Sequence, residues 1–276
     1  TANWFNGATA DLFFLGDTAE FDDSAVGTSV SLIGTLQPAV VRLNNNAKNF
    51  AIAGAGSLLA GSLEVNGAGA TTLANTSSNT LINGLSVNSG ALTIRNTGAN
   101  TLGAVTLNGG ALILTNTAGN TFASLALNNG TITAANAAAN AFGTVNLTGG
   151  SLLLANSVAN TFASLTLDGG TLTLNHPFNL TFGTAITGGS GTLAKDGTNQ
   201  VTLSANNSGF SGAIAVNAGI LRAGVANSLG NESGCTTVAA GATLDVNAIN
   251  LGNEPVTVSG SGVNGLGAIV NNSATA

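Results

Sequence analysis

The side chains that could carry out acid–base, nucleophilic or metal chemistry are few in this sequence and widely spaced. Of its 276 residues, 5 are Lys or Arg and 11 are Asp or Glu, with one His and one Cys. Enzymes that cleave polysaccharides need carboxylates, alone or with Arg or Lys, close together on one face. In the most regular part of the sequence the only base is Arg95 and the only acid is Asp168, at different positions of a repeat. We therefore predict that the chain is not an enzyme.

The single histidine and the single cysteine have no partner that the repeat pattern would place beside them. His176 precedes Pro177, with no Ser, Cys or acid at a matching position, so we predict a turn residue. One His and one Cys cannot supply the four ligands of a zinc site, and we predict no metal and no cofactor. Cys235 is interpreted as a small buried residue, with a bridge to another molecule or an anchor as the alternative. Lys195 and Asp196 are predicted to lie in a solvated turn.

The N-terminal segment, residues 1–30, carries the densest group of acids and an unusual group of aromatic side chains. The acids are Asp11, Asp17, Glu20, Asp22 and Asp23, and the aromatic side chains predicted to contact a neighbouring subunit are Trp4, Phe13 and Phe14. We interpret residues 1–30 as a cap over the open end of an apolar core, because a solenoid needs an atypical end to stay soluble. The alternatives are an arm that docks on another subunit and a calcium site. Calcium takes six to eight oxygen ligands, and GDTAEFDD lacks the alternating carboxylates of a dedicated calcium loop.

Asparagine recurs in two columns at a fixed period. The first column contains Asn96, Asn116, Asn136 and Asn156, and the second contains Asn100, Asn120, Asn140 and Asn160. Asparagine tolerates the left-handed backbone of turns, and its amide can hydrogen-bond along a stack of identical neighbours. We predict an internal ladder that pairs buried turn amides from one repeat to the next. A polar strip that binds a ligand is the alternative.

A repeating β structure must position these side chains. From Gly90 to Gly169 the sequence aligns with itself without a gap, and each repeat opens on glycine. Apolar residues alternate twice in each repeat, as in Leu92 and Ile94 and then Val105 and Leu107, which is the period of a half-buried strand. A fixed period of this size indicates a solenoid, and parallel crossovers are right-handed. We therefore predict an all-β fold, a right-handed parallel β-helix (β-solenoid) with about 20 residues per coil.

A column of phenylalanines suggests a third strand in each coil. Its members are Phe122, Phe142, Phe162 and Phe182, with Leu102 at the same position one repeat earlier. We predict that these rings stack in the core and do not form a platform for sugars.

The chain is predicted to divide into a segment of residues 1–30 and a β-solenoid of residues 31–276. The solenoid is most regular over residues 90–188. The coil of residues 69–89 carries one extra residue, and the coil of residues 170–188 has lost one. Insertions in a solenoid map to loops on one face.

The low charge of the chain limits its partners. Charged residues are 6% of the sequence and the formal net charge is −6, whereas about 25% of an ordinary globular domain is charged. Five basic residues cannot form a phosphate-binding stripe, so we expect no nucleic-acid partner. We expect no membrane insertion, because no stretch reaches the roughly 18 apolar residues of a transmembrane helix. The sequence opens on Thr1 without methionine, from which we expect a secreted chain with its leader removed, or an excised segment.

Residues 189–230 form a longer coil with a recognisable pattern. The residues of the pattern are Gly191, Thr192, Leu193, Lys195, Gly197, Val201, Thr202, Leu203, Asn206, Gly212, Val216, Gly219, Leu221, Arg222 and Ala223, closed by Leu229 and Gly230. The pattern resembles the autotransporter-associated β-strand repeat of bacterial secreted and surface proteins. The opening of the chain, with Trp4 and the run from Asp17 to Asp23, is similar to large surface proteins of environmental bacteria that carry these repeats. The resemblance implies an exported right-handed β-helix and names no ligand.

These features predict a non-enzymatic structural protein. We expect an extracellular or cell-surface β-solenoid subunit that assembles end to end with copies of itself into a filament or surface fibre. In this hypothesis the sheets continue from one subunit to the next. The alternative is a monomeric stalk or adhesive passenger module of a bacterial surface protein, which would bind a cell-surface glycan or a host surface. Outward-facing Ile113 and Leu153 suggest some lateral contact.

Overall fold

The computed structural model describes residues 4–6 and 9–273, and within them it contains β-strands, turns and one short 3₁₀ turn. About 12 coils of about 21 residues each are stacked on one another. Except for one hairpin near the N-terminus, every described strand pair is parallel. The predicted fold class, an all-β parallel β-solenoid, is confirmed, with a mean coil slightly longer than predicted.

The longest sheet, called sheet I here, has 12 strands, one from each coil. Its strands are Ser29–Ser31, Phe50–Ala53, Ala70–Leu73, Ala91–Ile94, Ala111–Leu114, Thr131–Ala134, Ser151–Leu154, Thr171–Leu174, Thr192–Lys195, Ala213–Val216, Cys235–Val238 and Val256–Val258. Most of them alternate between a side chain on the outer face and a buried one, as the period of two predicts.

A second sheet of 11 strands, sheet II, covers the other side of the core in the N-terminal two-thirds of the rod. Its strands are Thr18–Phe21, Thr35–Leu36, Val40–Leu43, Ser57–Val65, Thr80–Val87, Asn100–Thr101, Ala104–Leu107, Asn120–Leu127, Ala141–Leu147, Thr161–Leu167 and Ile186–Thr187. The long strand Asn120–Leu127 carries both Phe122 and Leu125, so the third strand suggested by the phenylalanine column is continuous with the second.

A third sheet of five strands, sheet III, replaces the first half of sheet II in the C-terminal coils. Its strands are Leu180–Phe182, Gln200–Leu203, Gly219–Ala223, Ala242–Asp245 and Ile269–Val270. A 3₁₀ turn at Val263–Gly265 precedes the last of them. At the other end of the chain, Trp4–Asn6 and Thr9–Asp11 form the antiparallel hairpin.

The register between coils follows the sequence repeat where the repeat is regular. Leu92 pairs with Leu112, and the pairing continues through Ile132 to Leu152 and Leu172 at intervals of one repeat. The coil that follows was predicted to lose a residue, and this prediction is wrong: Thr171 pairs with Thr192, so the coil has one residue more than the coil before it. The next coil therefore opens at Gly191, which lies against Leu167, and not at residue 189 as predicted from the sequence.

The glycine that opens each repeat is required by the turn it occupies. Gly110, Gly130 and Gly150 have φ values of +65°, +84° and +67°, a backbone region that residues with a Cβ atom rarely adopt. A Cβ atom at these positions would lie 2.5, 2.4 and 2.4 Å from the carbonyl oxygen of the glycine one coil earlier. The glycine column therefore allows the coils to approach to the spacing of a parallel sheet.

The core is a continuous stack of aliphatic side chains between the sheets. Leu112, Leu127, Leu147 and Leu172 are fully buried, and the same positions in neighbouring coils hold Leu, Ile or Val. Burying one such side chain stabilises a fold by about 1.5–3 kcal/mol. Because each residue packs on the equivalent residue of the next coil, no coil has a core of its own.

Two predictions about single residues are wrong, and the alternation within sheet I explains both. Lys195 is not in a solvated turn: it is the register partner of Leu174 on the inward side and is 1% exposed. Cys235 is not buried: it opens a strand in which Thr236 and Val238 point inward, so its own side chain lies on the outer face and is exposed.

Candidate functional site

The buried asparagines form hydrogen-bonded pairs within each coil, and most of these pairs are reciprocal. The Nδ2 atom of Asn96 donates to Oδ1 of Asn100 at 2.9 Å, and Nδ2 of Asn100 donates back to Oδ1 of Asn96 at 2.9 Å. The Asn116 and Asn120 pair repeats this arrangement at 3.0 and 3.0 Å. Each side chain thus satisfies part of the hydrogen-bonding capacity of the other inside the turn.

The second asparagine of each pair also bonds to the next coil. Asn100 donates from Nδ2 to Oδ1 of Asn120 at 2.8 Å, Asn120 donates to Asn140 at 2.9 Å, and Asn140 donates to Asn160 at 3.1 Å. We call this column the buried ladder. Its amides all point their N–H groups toward the C-terminal end of the rod. Asn120 is 1% exposed, so a ligand outside the protein cannot reach the middle of the ladder.

The buried ladder is one coil longer than the sequence repeat indicated. Asn75 and Asn79 form the same reciprocal pair at 3.0 and 3.0 Å, and Nδ2 of Asn79 donates to Oδ1 of Asn100 at 3.0 Å. The extra residue of this coil hid the pair from an alignment with a fixed period. The signal was the spacing of four between the two asparagines, which is the same in every coil.

A second ladder lies on the surface and was missed in the sequence. Asn66 donates from Nδ2 to Oδ1 of Asn44 at 3.1 Å, and the pattern continues toward the C-terminus at 2.8, 2.9 and 2.9 Å. The members of this exposed ladder are Asn44, Asn66, Asn88, Asn108 and Asn128, with Thr148 donating to the last of them at 3.0 Å. Its N–H groups point toward the N-terminal end, opposite to the buried ladder. There Nδ2 of Asn44 donates to the carboxylate of Glu20 at 2.7 Å.

The phenylalanine column is a stack of rings within the coil interior. The ring centres of Phe122 and Phe142 are 4.6 Å apart and those of Phe142 and Phe162 are 4.9 Å apart, with nearly parallel planes. Phe182 continues the stack at 5.8 Å with a tilted ring, where sheet III takes over from sheet II. Phe122, Phe142 and Phe182 are buried, and Phe162 is half-buried.

The residues predicted as a subunit contact lie at the N-terminal end of the rod. Phe13 is half-buried and lines an apolar cleft at the end of the core together with Phe21, Leu36 and Ile52. Phe14 is 58% exposed, and its backbone N–H donates to Asp17 at 2.7 Å. The Trp4 side chain lies outside the described residues.

Two of the acids in this segment, Asp22 and Asp23, stabilise turns of the backbone. The carboxylate of Asp23 accepts the backbone N–H groups of residues 46–48 at 3.0–3.1 Å, and these bonds, that of Lys48 first, lower the pKa of its carboxyl. Asp22 accepts the hydroxyl of Ser24 at 2.5 Å and the backbone N–H of Ser24 at 2.9 Å, which lower its pKa in the same way. These carboxylates therefore stabilise the turns as anions.

The acids proposed as a calcium alternative do not converge on one point. Asp17 bonds to its own turn, Glu20 ends the exposed ladder, and Asp22 and Asp23 face different neighbours. Over residues 4–6 and 9–273, no three His, Cys, Asp or Glu side chains are grouped so that they could hold a metal ion.

The charged side chains form isolated pairs, each joining two neighbouring coils. Arg42 and Glu64 are 2.9 Å apart on the outer face of sheet II, and Arg222 and Asp245 are 3.5 Å apart near the C-terminal end. Asp168 accepts the backbone N–H of Gly189 at 3.2 Å, one coil further along. The structure does not bring Asp168 together with Arg95, which lies in an earlier coil.

Lys195 and His176 bring two ionisable groups into the interior. The Nζ atom of Lys195 donates to the backbone carbonyls of Asp196, Gly197 and Ala218 at 2.9, 2.8 and 2.9 Å, so each ammonium proton has an acceptor. Burial lowers the pKa of Lys195 to about 8. His176 is 3% exposed and packs edge-on against Phe178, with ring centres 5.3 Å apart. Burial, and then the charge of Lys195, lower its pKa to about 4.

Asp245 forms hydrogen bonds that connect the last two coils of the described chain. Its buried carboxylate accepts the backbone N–H groups of Asn247 and Asn272 at 3.0 and 3.0 Å. The Oδ1 atom of Asn271 accepts the N–H of Ala248 at 2.8 Å. Beyond these contacts Leu266 and Ile269 remain exposed at the C-terminal end of the described rod.

The outer face of sheet I is uncharged along the described rod. Its 12 strands contain a single charged residue, Lys195, and that side chain points inward. Ile113 and Leu153 lie on this face and are half-buried among their small neighbours. The described chain has no helix that is long and apolar enough to span a membrane.

No family model, no curated protein and no solved structure matches the chain.

Proposed function

We propose that this chain is a non-enzymatic structural protein, a β-solenoid subunit that joins copies of itself end to end into a filament or surface fibre. One observation supports the proposal above all. At both ends of the described rod the parallel sheets finish in an edge strand, and apolar side chains are exposed near these edge strands. An edge strand is a template for pairing with another chain.

At the N-terminal end the outermost parallel strands are Thr18–Phe21 of sheet II and Ser29–Ser31 of sheet I. Four apolar side chains in this part of the chain are exposed, namely Phe14, Leu15, Val26 and Ile33. Exposed apolar residues are ordinary when they are scattered, but a group at one end of a rod marks an interaction surface.

At the C-terminal end the outermost strands are Val256–Val258 of sheet I and Ile269–Val270 of sheet III. Val258, Leu266 and Ile269 are exposed there. Sheet I is parallel throughout, so a second subunit placed on this edge could add its own first strand in the same orientation.

An extracellular or cell-surface location is part of the proposal. It is supported by the low charge of the outer surface and by the resemblance of residues 189–230 to the autotransporter-associated β-strand repeat. A β-solenoid is held by contacts between neighbouring coils, which suits a protein that must persist outside the cell.

The proposal is tested by measuring the mass of the protein in solution by size-exclusion chromatography with light scattering. We expect the chain to form a series of multiples of its 26.6 kDa mass. Phe14→Asp combined with Leu15→Asp places two charges at the N-terminal edge and should shift the distribution to the single subunit.

Ile82→Asp is the matched control, because Ile82 is 63% exposed but lies on sheet II away from both ends. This variant should assemble like the unmodified chain. A single species of 26.6 kDa at every concentration of the unmodified protein would contradict the proposal.

A second candidate function is a monomeric adhesive or stalk module. The observation that favours it is the uncharged outer face of sheet I, on which Ile113 and Leu153 form apolar points among Ser, Thr and Ala. Binding of single subunits to an array of cell-surface glycans, reduced by Ile113→Asp, would support this function over the filament.

A further inference from the structure

A small polar cleft lies at the C-terminal end of the buried ladder. It is lined by Asn160, Phe162, His176, Leu180, Gly183 and Thr184, in the coil where sheet III begins. The volume of the cleft that is open to a water molecule is about 20 Å³. A site needs about 10–15 Å³ of such space to hold one water molecule, so the cleft has room for one water molecule or one ion of similar size.

Asn160 brings an unused hydrogen-bond donor to this cleft. In the earlier coils of the buried ladder, Nδ2 of Asn100, Asn120 and Asn140 donates to the Oδ1 atom one coil further on. The backbone N–H of Asn140 also donates to Oδ1 of Asn160, at 2.9 Å. One coil beyond Asn160 the equivalent residue is Leu180, which has no side-chain oxygen. Nδ2 of Asn160 donates one proton to Asn156 at 2.7 Å, and its second proton has no acceptor among the described residues.

His176 is a second polar group in the cleft wall. It stands one repeat after Asn156, in the column where the earlier coils have asparagine. Within the described part of the chain neither Nδ1 nor Nε2 has a hydrogen-bond partner, although the ring is 3% exposed. A buried polar atom left without a partner costs about 1–3 kcal/mol, so a bound group that reaches the His176 ring is favoured.

The direction of the ladder indicates the chemistry of that group. Aligned amides of the buried ladder present their N–H ends at Asn160, and hydrogen bonds in such a chain polarise one another. The exposed ladder runs the opposite way, and its N–H end is met by the carboxylate of Glu20 at 2.7 Å. Lys195 adds a positive charge near His176. A group bound at the end of the buried ladder is therefore expected to be a hydrogen-bond acceptor.

We propose that the cleft binds a hydrogen-bond acceptor of one heavy atom, a water oxygen or a halide ion, which takes the place of the missing asparagine oxygen and is held by Asn160. His176 forms one wall of this site. The bound atom completes the ladder where the repeat ends.

High-resolution crystal structures of the unmodified protein, grown in chloride and in bromide, test the proposal. We expect a peak of density within hydrogen-bond distance of Nδ2 of Asn160 in both. An anomalous signal at this peak in bromide identifies a halide, and density without such a signal identifies water. An absence of density beside Asn160 in both crystals would overturn the proposal.

A variant that supplies the missing oxygen gives an independent test. Leu180→Asn should remove the density, because its own carboxamide oxygen then receives the free Asn160 proton. The matched control is Leu172→Asn, the same change at a fully buried position away from the cleft, which should keep the density if it folds. Density that persists unchanged beside Asn160 in the Leu180→Asn crystal would contradict the proposed role of the acceptor.

Discussion

Two interior positions of the solenoid carry ionisable side chains where the regular coils have neutral ones. His176 stands in the asparagine column, and Lys195 stands over Leu174 in the core. Lys195 is stabilised by three backbone carbonyls, whereas the His176 ring receives no hydrogen bond from the described residues. The two residues therefore respond differently to pH: the pKa of His176 is about 4 and that of Lys195 is about 8.

We predict that His176 makes the fold less stable in acid. Its pKa is about 4 in the folded chain against an ordinary value of 6.5, so the unfolded chain binds more protons between these values. The stability is fully present above pH 6.5 and falls as the pH drops toward 4, by about 3 kcal/mol at most. Urea denaturation of the unmodified protein at a series of pH values measures this loss.

The control for this prediction is His176→Asn, which restores the residue of the regular repeat and cannot titrate. Carboxylates contribute their own acid dependence, and they are the same in both proteins. The difference in unfolding free energy between the two proteins should therefore change between pH 6.5 and 4. A difference that stays constant across this range would show that His176 is not the titrating group.

The position of Lys195 could have been predicted from its own strand. In Thr192–Lys195 the alternation of Thr, Leu, Ala and Lys puts Leu193 and Lys195 on the same side of the sheet. The charge of Lys195 favours a solvated turn, whereas the alternation in its strand favours burial of the side chain. Lys195 can be buried because two carbonyls of the following turn and that of Ala218 in the next coil accept every proton of the ammonium group.

Within the coil, the two asparagine ladders use the same chemistry in opposite environments. The buried ladder satisfies amides that water cannot reach, and the exposed ladder forms bonds that compete with water. The first is therefore expected to contribute much more to stability than the second.

We predict that Asn120→Leu destabilises the protein by roughly 3–5 kcal/mol, because it leaves several buried polar groups without partners at once. Asn120 exchanges hydrogen bonds with Asn116 in its own coil, accepts from Asn100 and donates to Asn140. Asn108→Leu is the matched change in the exposed ladder and should cost less than about 1 kcal/mol, since water can replace its bonds. Chemical denaturation of the three proteins measures both effects.

Similar losses for the two leucine variants would contradict this ranking. Such a result would mean that the exposed ladder is as important for the stacking of coils as the buried one.

The elements that could be predicted are those that obey one fixed period. The strands over residues 90–188, the glycine turns and the asparagines of the buried ladder recur once in every repeat, and a period reports directly which residues share a column. The exposed ladder was missed because its first members, Asn44, Asn66 and Asn88, are spaced by 22 and precede the regular repeats, so only Asn108 and Asn128 follow the period of 20. The replacement of the first half of sheet II by sheet III, which begins at Leu180, also has no periodic signal in the sequence.

For the whole molecule, the parallel stacking sets both the length and the direction of growth. Twelve strands at about 4.8 Å give a rod about 55 Å long. We predict that assembly increases the maximum dimension measured by small-angle X-ray scattering in steps of about 55 Å, while the cross-section stays constant.

The scattering experiment separates end-to-end growth from lateral association through the uncharged face of sheet I. Growth of the cross-section at constant length would favour side-by-side contact and contradict the filament. An exposed Cys235 on the same face could crosslink laterally associated rods, so the measurement is made under reducing conditions.

The overall architecture could be predicted because solenoid folding is nearly one-dimensional. Each coil contacts its two neighbours, so a local repeat determines the global shape. The ends could not be predicted in the same way, because they have a neighbour on one side only and their residues follow no repeat.

The orientation of the backbone hydrogen bonds has a mechanical consequence. In all three parallel sheets these bonds run along the length of the rod, from each coil to the next. Tension applied at its two tips therefore loads the interfaces between coils in series, and the weakest interface opens first. Each coil of about 21 residues that detaches releases roughly 70 Å of chain. A stretched rod of this kind lengthens by successive peeling and takes up the load gradually, whereas strands pulled in shear resist together and fail together.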